Sequence, residues 1–475
     1  MSLLPTVPPP PEGVTFNHNI LQSVLFNDLG FRGNRSSIFR RVYGIAYSPA
    51  YVLYDDTAKW WDISIDNPFS RLLSPELKPD IVAQKYITTT ARTARQLVRI
   101  AQIVSSPIRW RKHQLKQDLM EDLNSLWDAY EEHMTCLYTF WNVEGLLTNS
   151  LMNELAKNGF QEEINTGLPS FIVPSEPNWF MLEQQNLAIL KSRFSDSSED
   201  RLDAVSYHID VFGFLFTPFH LGVLPSGSDV AARMNQLAVN ETKQCNRIQL
   251  DGMPENLARM CELVQELAFW KQERQDAFAL ADKYAAPMYK TLSALLEIPL
   301  NLMFTMTRDE LTQAVTDKHG IDVDTLQQRS VKYCLALIDG KIKFYQPTNA
   351  TALEEATAQN GDVLRGLPTS VGVVRGRVRI LPMGEKNPRL GSDEIIVTSM
   401  TRPELGAALD MALAYVTDEG GMLCHAAIVS REKKKPCVVG LGNATKVLRS
   451  GMLIDVDGSA GTVTVIEANY GGSHP

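Results

Sequence analysis

The stretch of this chain that most constrains its fold is TDEGGMLCHAAIVSREKKKP, residues 417–436. A short apolar run ends near Val416, and the two glycines that follow allow the backbone a tight turn with positive φ. His425 then opens a run of small and apolar residues typical of a helix, and Pro436 favours a stop before it. The pattern predicts a strand, a glycine turn and a short helix with a histidine in its first turn.

A histidine in the first turn of a helix lies among unpaired backbone N–H groups, at the positive end of the helix dipole. That position disfavours an imidazolium and favours the neutral, nucleophilic ring. The same N–H groups stabilise a phosphoryl group carried on a ring nitrogen. The residues alone leave two interpretations open at this point: a phosphoryl carrier, or a structural histidine beside a glycine turn.

Composition narrows the class of protein. The chain has 475 residues, 44% of them hydrophobic, which is enough for two or three domains with real cores. Its net charge of −9 argues against nonspecific nucleic-acid binding, and no apolar run approaches the ~18 residues of a membrane span. The N-terminus lacks a basic signal region, and the six cysteines form no CxxC pair. We expect a cytoplasmic protein that binds neither nucleic acid nor a membrane.

The distribution of residues predicts a multidomain protein. Residues 1–15 are rich in proline and are expected to be a flexible N-terminus. Residues 16–349 show mainly helical periodicity and predict a mainly α-helical N-terminal and central domain with small β elements. A polar linker is expected at 350–366. Short strands, glycines and brief helical runs then predict a compact β/α domain at 367–468.

Local signals within these regions are more specific. Apolar periodicity over residues 256–284 predicts one long helix. Thr307 and Glu310 have the spacing of a capping box at the start of a further helix. Asp-Gly pairs at 339–340 and 457–458 predict two β-hairpins.

The C-terminal run from residue 416 to residue 463 closely resembles the mobile phosphohistidine domain of PEP-utilising enzymes. That family includes phosphoenolpyruvate synthase, pyruvate phosphate dikinase, rifampicin phosphotransferase and phenylphosphate synthase. The shared features follow in order: Gly-Gly, three residues, His-Ala-Ala-Ile, Arg-Glu, Pro-x-Val-Val-Gly, Ala-Thr and an Asp-Gly hairpin. The resemblance covers about residues 364–466 and implies that the C-terminal part is a swivelling β/α phosphohistidine domain.

The resemblance also assigns roles to residues of the opening stretch. It implies that His425 is the catalytic residue that is transiently phosphorylated. It implies that Thr417, Gly420 and Gly421 shape the phosphohistidine loop, to which Cys424 also belongs.

The helix after the histidine departs from the family pattern at two places. Ser430 stands where the family often has alanine, and a basic run at 433–435 replaces the usual Leu-Gly-Ile. Arg431 is a candidate cation of the loop, although it lies nearly two turns beyond the histidine. The basic run is expected to be either a solvated helix end or a surface that docks a nucleotide-binding domain.

The resemblance implies a dikinase-like phosphotransferase subunit without two of the parts that complete enzymes of the family contain. The sequence shows no glycine-rich ATP-grasp segment and no PEP/pyruvate barrel. We therefore expect a separate ATP-grasp nucleotide-binding subunit as partner. This subunit is expected to bind ATP and most of the Mg²⁺ and to phosphorylate His425. Without this partner, we expect the chain to be inactive. No metal ligands are predicted on this chain.

The acceptor is expected to be a small organic hydroxyl compound. Aromatic residues of the central region suit an aromatic acceptor, and a packed core explains them equally well. His220 and His208 are the candidates for the base that activates the acceptor, although each is typical of a core histidine. Two alternatives stay open: a phosphotransferase that takes its phosphoryl group from PEP, and a non-catalytic regulatory or binding protein that retains the swivelling domain.

Overall fold

A computed structural model describes the chain at residues 14–18, 23–33, 36–43, 51–55, 59–62, 78–105, 115–160, 174, 176–193, 199–216, 224–236, 253–317, 322–338, 340–345, 363–382, 388–401, 405, 408–421 and 424–467. Up to residue 345 these residues are mainly helical, and from residue 363 they are built on one mixed sheet. The helical N-terminal region and the β-rich C-terminal region of the prediction are thus confirmed.

The helices of the N-terminal region include three long ones that pack side by side. They are α1 (Val24–Gly33), α2 (Ser36–Tyr43), α3 (Pro79–Val104), α4 (Leu115–Lys157), α5 (Trp179–Arg193), α6 (Glu199–Phe212), α7 (Gly227–Gln236), α8 (Glu255–Leu296), α9 (Leu300–Met303), α10 (Arg308–Asp317) and α11 (Val323–Val331). Helices α3, α4 and α8 bury their apolar faces against one another. The long helix predicted over residues 256–284 is confirmed as part of α8.

The capping box at the start of α10 is confirmed. The backbone N–H of Thr307 donates to a carboxylate oxygen of Glu310 at 2.9 Å, and the Glu310 N–H donates to Thr307 Oγ1 at 3.3 Å. Arg329 of α11 donates two further hydrogen bonds to the same carboxylate, each of 2.9 Å. The cap therefore also ties α10 to α11.

A small antiparallel sheet joins the two ends of the helical region. Its strands are β1 (Val14–His18), β2 (Tyr51–Asp55), β3 (Lys59–Asp62), β4 (Cys334–Ile338) and β5 (Lys341–Phe344), in the order β1-β3-β2-β4-β5. Ile338 pairs with Lys341, so the hairpin predicted at 339–340 is confirmed. Residues 14–15 of the expected flexible N-terminus belong to β1, and residues 1–13 lie outside the described residues.

The C-terminal region is an eight-stranded mixed sheet with short helices. Its elements are β6 (Val363–Arg365), β7 (Leu367–Ser370), β8 (Val373–Ile380), β9 (Glu394–Thr398), α12 (Ala408–Met411), β10 (Tyr415–Thr417), α13 (His425–Glu432), β11 (Cys437–Val439), α14 (Ala444–Val447), β12 (Leu453–Asp457) and β13 (Thr462–Glu467). The strand order is β6-β13-β12-β8-β9-β10-β11-β7, and β8, β9, β10 and β11 run parallel. The carboxyl ends of β9 and β10 therefore meet at one edge.

The sheet buries apolar residues on both faces. One face packs Val378, Val416 and Ile454 in one cluster, and the other packs Ile396 and Tyr415 beneath α12 and α13. The hairpin predicted at 457–458 is confirmed by the antiparallel pairing of β12 with β13.

The predicted linker is only partly described. Residues 350–362 lie outside the described residues, whereas 363–365 form β6 and pair with β13. The domain boundaries otherwise stay predictions. Among the described helices, none has the length and apolar character that a bilayer crossing requires.

Candidate active site

His425 is the first residue of α13, which follows the carboxyl end of β10 across the glycine turn. Cys424 is the N-cap residue, and its Sγ accepts a hydrogen bond from the Ala427 N–H at 3.4 Å. The imidazole is partly exposed. The structure thus places the histidine in the first helical turn, as the sequence predicts, while its chemical role stays a prediction.

Thr401 fixes the orientation of the imidazole. Its Oγ1 lies 2.9 Å from Nδ1 of His425, and its side chain is buried just beyond the end of β9. A neutral ring that donates from Nδ1 carries its lone pair on Nε2. When Nδ1 is the donor to Thr401, Nε2 is the nitrogen with the lone pair.

Sequence reasoning missed Thr401, which precedes the histidine by 24 positions. Its signal lay in the strand pattern. Because β9 and β10 are adjacent parallel strands, polar residues that follow them meet at one edge of the sheet.

The glycine turn leaves no room for a side chain at Gly420. This residue has φ of +128°, and a Cβ there would stand 2.7 Å from the Sγ of Cys424. Both the backbone conformation and the close approach of Cys424 require glycine. The turn can therefore bring the start of α13 against the end of β10.

Thr417 and Asp418 hold the first half of the loop. The buried Thr417 donates from Oγ1 to the carbonyl of Glu419 at 2.6 Å. Asp418 is buried, and its carboxylate accepts a 3.0 Å hydrogen bond from the Thr445 N–H and a further bond from the Thr445 hydroxyl. The loop is thus tied to the start of α14, with Thr417 placed as a loop-shaping residue.

Arg431, the predicted cation of the loop, is bound to the backbone of β7. Its Nε donates to the carbonyl of Thr369 in β7 at 2.7 Å, which braces α13 against the edge strand. Burial lowers the pKa of its guanidinium to about 10, with the thiols of Cys424 and Cys437 acting in the opposite direction.

The basic run after α13 is bound to the neighbouring helix. Lys433 pairs with the Asp410 carboxylate, and Lys435 donates to the carbonyls of Asp410 and Ala412 at the end of α12. Lys434 is exposed, with φ of +52°. Two of the three lysines thus stabilise the helix end.

The phosphohistidine loop lies against the helical region. The carboxylate of Glu144 in α4 stands 3.3–3.4 Å from the position that a Cβ on Gly421 would occupy. Burial raises the pKa of the Cys424 thiol, while the charge of Lys271 lowers it and that of Glu144 raises it. Side chains of α4 and α8 therefore face the loop that carries His425.

Two cations of α8 accompany Glu144. The guanidinium of Arg274 lies 4.2 Å from the ring centroid of Phe140, and Lys271 Nζ lies 5.7 Å from the same centroid. Arg274 is 1% exposed, and its Nε has no hydrogen-bond partner. Burial lowers the pKa of Arg274, while nearby Tyr86 and Glu144 raise it. We name Glu144, Lys271 and Arg274 the facing triad.

A buried histidine fixes the backbone beneath the facing triad. His133 Nε2 lies 2.9 Å from the carbonyl of Arg274, and its Nδ1 lies 2.8 Å from Thr93 Oγ1. Burial lowers its pKa to about 4, so the ring is neutral at pH 7. It joins α3, α4 and α8.

Of the two predicted acceptor bases, the structure describes His208. His208 is buried among α5, α6 and α7, with Nδ1 2.7 Å from Asn186 Oδ1 and Nε2 3.4 Å from Glu183 Oε1. Arg233 also binds the Glu183 carboxylate, at 2.8 Å. These contacts are those of a structural histidine. His220 lies outside the described residues.

The described residues contain no group of three His, Cys, Asp or Glu side chains arranged to hold a metal ion. The described groups around His425 include the Thr401 hydroxyl and the Cys424 thiol, whereas Mg²⁺ prefers carboxylate, phosphate and water oxygens. A hydroxyl and a thiol do not fit a Mg²⁺ site.

Comparisons with known proteins agree with the geometry of the loop. Residues 390–461 match the family described as PEP-utilising enzyme, mobile domain. The phosphoenolpyruvate synthase of Pyrococcus furiosus is 38% identical over 168 residues, which are 32% of this chain and 21% of that enzyme. The phosphoenolpyruvate synthase of Aeropyrum pernix is 50% identical over 112 residues, which are 23% of this chain and 14% of that enzyme.

The matches thus span about a fifth or less of these two relatives. A solved structure, the holo-form of Thermococcus kodakaraensis aconitase X, is 21% identical over 22% of this chain and all of its own, at a TM-score of 0.19. Residues 390–461 of this chain thus match the mobile domain of PEP-utilising enzymes, and part of the chain is similar to the two synthases.

Proposed function

We propose that this chain carries a phosphoryl group on Nε2 of His425 and delivers it to an organic hydroxyl acceptor. The observation that carries the proposal is the 2.9 Å contact between Thr401 Oγ1 and Nδ1 at the N-terminus of α13. It presents the opposite nitrogen for attack, and the positive end of the α13 dipole favours the negative charge of a phosphoryl group there.

The proposed relay has two chemical steps, loading of His425 and delivery to the acceptor. In loading, the Nε2 lone pair attacks phosphorus, a P–N bond forms, and the P–O bond to the donor's leaving group breaks. In delivery, the acceptor oxygen attacks the same phosphorus, the P–N bond breaks, and its electron pair returns to the imidazole. The acceptor proton passes to a base.

In this proposal, the acceptor receives the phosphoryl group at the facing triad. Lys271 and Arg274 offset the negative charge of the transferred group, and the carboxylate of Glu144 accepts the proton of the acceptor hydroxyl. The close approach of Glu144 to Gly421 supports this placement. Glu144 is thus the proposed base for the acceptor hydroxyl, a role for which the sequence analysis named His208 and His220 as candidates.

The donor in this proposal is ATP, bound with Mg²⁺ by a separate ATP-grasp subunit. The domain then moves so that His425 visits the donor and the facing triad in turn. Support comes from the mobile-domain match at residues 390–461 and from relatives named phosphoenolpyruvate synthase. The test also covers two competing hypotheses. In one the donor is PEP, and in the other the chain is a regulatory protein without turnover.

Labelling distinguishes these outcomes. The chain is mixed with a candidate ATP-grasp protein and ATP labelled at the β or γ position, or with labelled PEP alone. We expect acid-labile, base-stable label from ATP in the wild-type chain and none in His425→Ala. The control is His208→Asn, which removes a histidine from a different element and retains the label.

Label from PEP without the partner would replace the ATP proposal by the PEP one. Label that persists in His425→Ala, or no label from any donor, would contradict the relay itself.

A further inference from the structure

A second candidate site lies on a different side of α8. A cavity of about 570 Å³ opens between α3, α5 and α8, within the ~300–1,000 Å³ typical of small-molecule sites. Glu273 lines it, and Lys271, two positions earlier, acts on the Cys424 thiol of the loop. Residues two positions apart point about 200° apart around a helix. The cavity therefore faces away from the phosphohistidine loop.

The walls of the cavity are aromatic. Trp179 of α5 and Phe269 and Trp270 of α8 line it, and each is partly buried. Trp179 is held edge-on by Phe214, with ring centroids 5.4 Å apart. Such a wall accepts a flat ring, and its faces also attract cations.

The floor of the cavity is acidic. Asp276 is 5% exposed, its Oδ1 accepts a 2.8 Å hydrogen bond from Gln272 Nε2, and its Oδ2 has no hydrogen-bond partner among the residues that the structure describes. Glu273, one turn away, accepts from the Trp179 N–H at 3.1 Å. Buried polar atoms in folded proteins are nearly always paired. The orphaned Oδ2 therefore points to a ligand with a polar group.

The charges around Asp276 favour a cationic donor. Carboxylates of Glu176, Glu266 and Glu273 line the same cavity, and its cations are Arg95 and Arg99 of α3. Both arginines are exposed, so that their heads are solvated at the rim. A carboxylate ligand at the floor would meet like charges in a buried place.

We propose that this cavity binds a cationic aromatic amine, whose ammonium group pairs with Asp276 and whose ring contacts Trp179, Phe269 and Trp270. This site is independent of phosphoryl carriage, because its evidence lies wholly within α3, α5 and α8. Burial raises the pKa of Asp276 to about 8, with Gln272 lowering it and Glu273 raising it, so the free carboxyl is mostly protonated at pH 7. Binding of an ammonium therefore releases that proton to the buffer.

The test is a calorimetric titration of the full chain, without any phosphoryl donor, with benzylamine, tyramine and tryptamine. We expect saturable binding with release of up to one proton, measured from the dependence of the heat on the buffer. The affinity should rise by more than ~10-fold from pH 6 to pH 8, because Asp276 ionises over that range. Indole-3-ethanol, which lacks the ammonium, should bind weakly and release no proton.

Variants distinguish the contribution of the buried carboxylates at the cavity floor to amine binding from that of an exposed carboxylate. Asp276→Asn should bind the amines about 10- to 100-fold more weakly and abolish the proton release. Glu176→Gln removes an exposed carboxylate from the same cavity and should change the affinity little. Glu273→Gln provides a second floor variant, expected to weaken binding without abolishing the proton release.

Three results would overturn the proposal. One is the absence of saturable binding of all three amines at millimolar concentrations. Another is equal binding by the wild-type chain and a folded Asp276→Asn variant. The third is indole-3-ethanol binding as tightly as tryptamine. None of these results bears on the labelling of His425.

Discussion

At the scale of single residues, the chemistry of His425 depends on a partner outside its own motif. The Thr401 hydroxyl reaches Nδ1 from the end of the neighbouring strand, and in the proposed relay Nε2 carries the lone pair. Position at a helix N-terminus favours bound phosphate, but only the ring orientation selects the nitrogen that receives it.

Removal of this hydroxyl should slow loading without unfolding the domain. In Thr401→Val the ring loses its fixed orientation, and misplacement of a reacting group by ~1 Å costs roughly 100-fold in rate. We expect initial rates of label incorporation to fall by about 10- to 100-fold, while Thr401→Ser keeps most of the rate. An unchanged rate in Thr401→Val would contradict the positioning role.

His133 is a second residue whose burial has a measurable consequence. Its pKa is lowered to about 4, against 6.5 for a free histidine. Between these values the unfolded chain binds a proton that the folded chain does not. The free energy of unfolding should therefore fall as pH drops from 6.5 to 4, by about 1.4 kcal/mol per unit at most.

Denaturant unfolding at pH 7.0 and 4.5 measures this contribution. His133→Gln lacks the titrating group and should lose part of the acid sensitivity, whatever its stability at pH 7. The same acid sensitivity in both proteins would show that other groups cause it.

At the scale of elements, the turn between β10 and α13 depends on glycine at a position where space and backbone conformation both require it. Gly420→Ala introduces a Cβ against Cys424 at φ of +128°. Gly442→Ala is a matched control, because Gly442 also has positive φ, +80°, but no atom of the described part of the chain lies within 4 Å of its Cβ position.

We expect Gly420→Ala to lower the free energy of unfolding by about 2–4 kcal/mol and Gly442→Ala by about 1 kcal/mol. Thermal or denaturant unfolding of the two variants measures both values. Equal losses would mean that only the backbone conformation matters at Gly420.

Element-level patterns were the most predictable part of the fold. The periodicity of α8, the capping box of Thr307 with Glu310 and the hairpins at 339–340 and 457–458 are all local, and the structure confirms them. Strand β6 fell within the predicted linker, because a three-residue strand such as Val363–Arg365 has too little local signal and depends on its pairing with β13.

At the scale of the whole molecule, the C-terminal region has a core of its own. Leu364, Val416 and Val463 share one cluster that contains no residue before 363. Leu367, by contrast, also packs against the cluster of Tyr86, Phe140 and Leu263 in the helical region. We expect the core of the C-terminal region to suffice for the folding of that region. We expect the contact through Leu367 to dock it on the helical region.

A fragment of residues 363–467 should therefore fold alone. We expect a cooperative thermal transition by circular dichroism and a dispersed amide spectrum, since the sheet and its helices bury their apolar faces within the fragment. A fragment without a cooperative transition would mean that the helical region is needed for its stability.

The sequence by itself determined the helical region, the C-terminal β/α region and the place of His425 at the start of α13, because those features follow from spacing along a continuous segment. Tertiary structure decided the contacts between distant segments. It brought Thr401 to the imidazole, placed Glu144 against Gly421 with Lys271 and Arg274 nearby, and left Asp276 orphaned in a cavity. The physical reason is that side-chain distances and burial depend on how helices and strands pack, and residue spacing does not encode them.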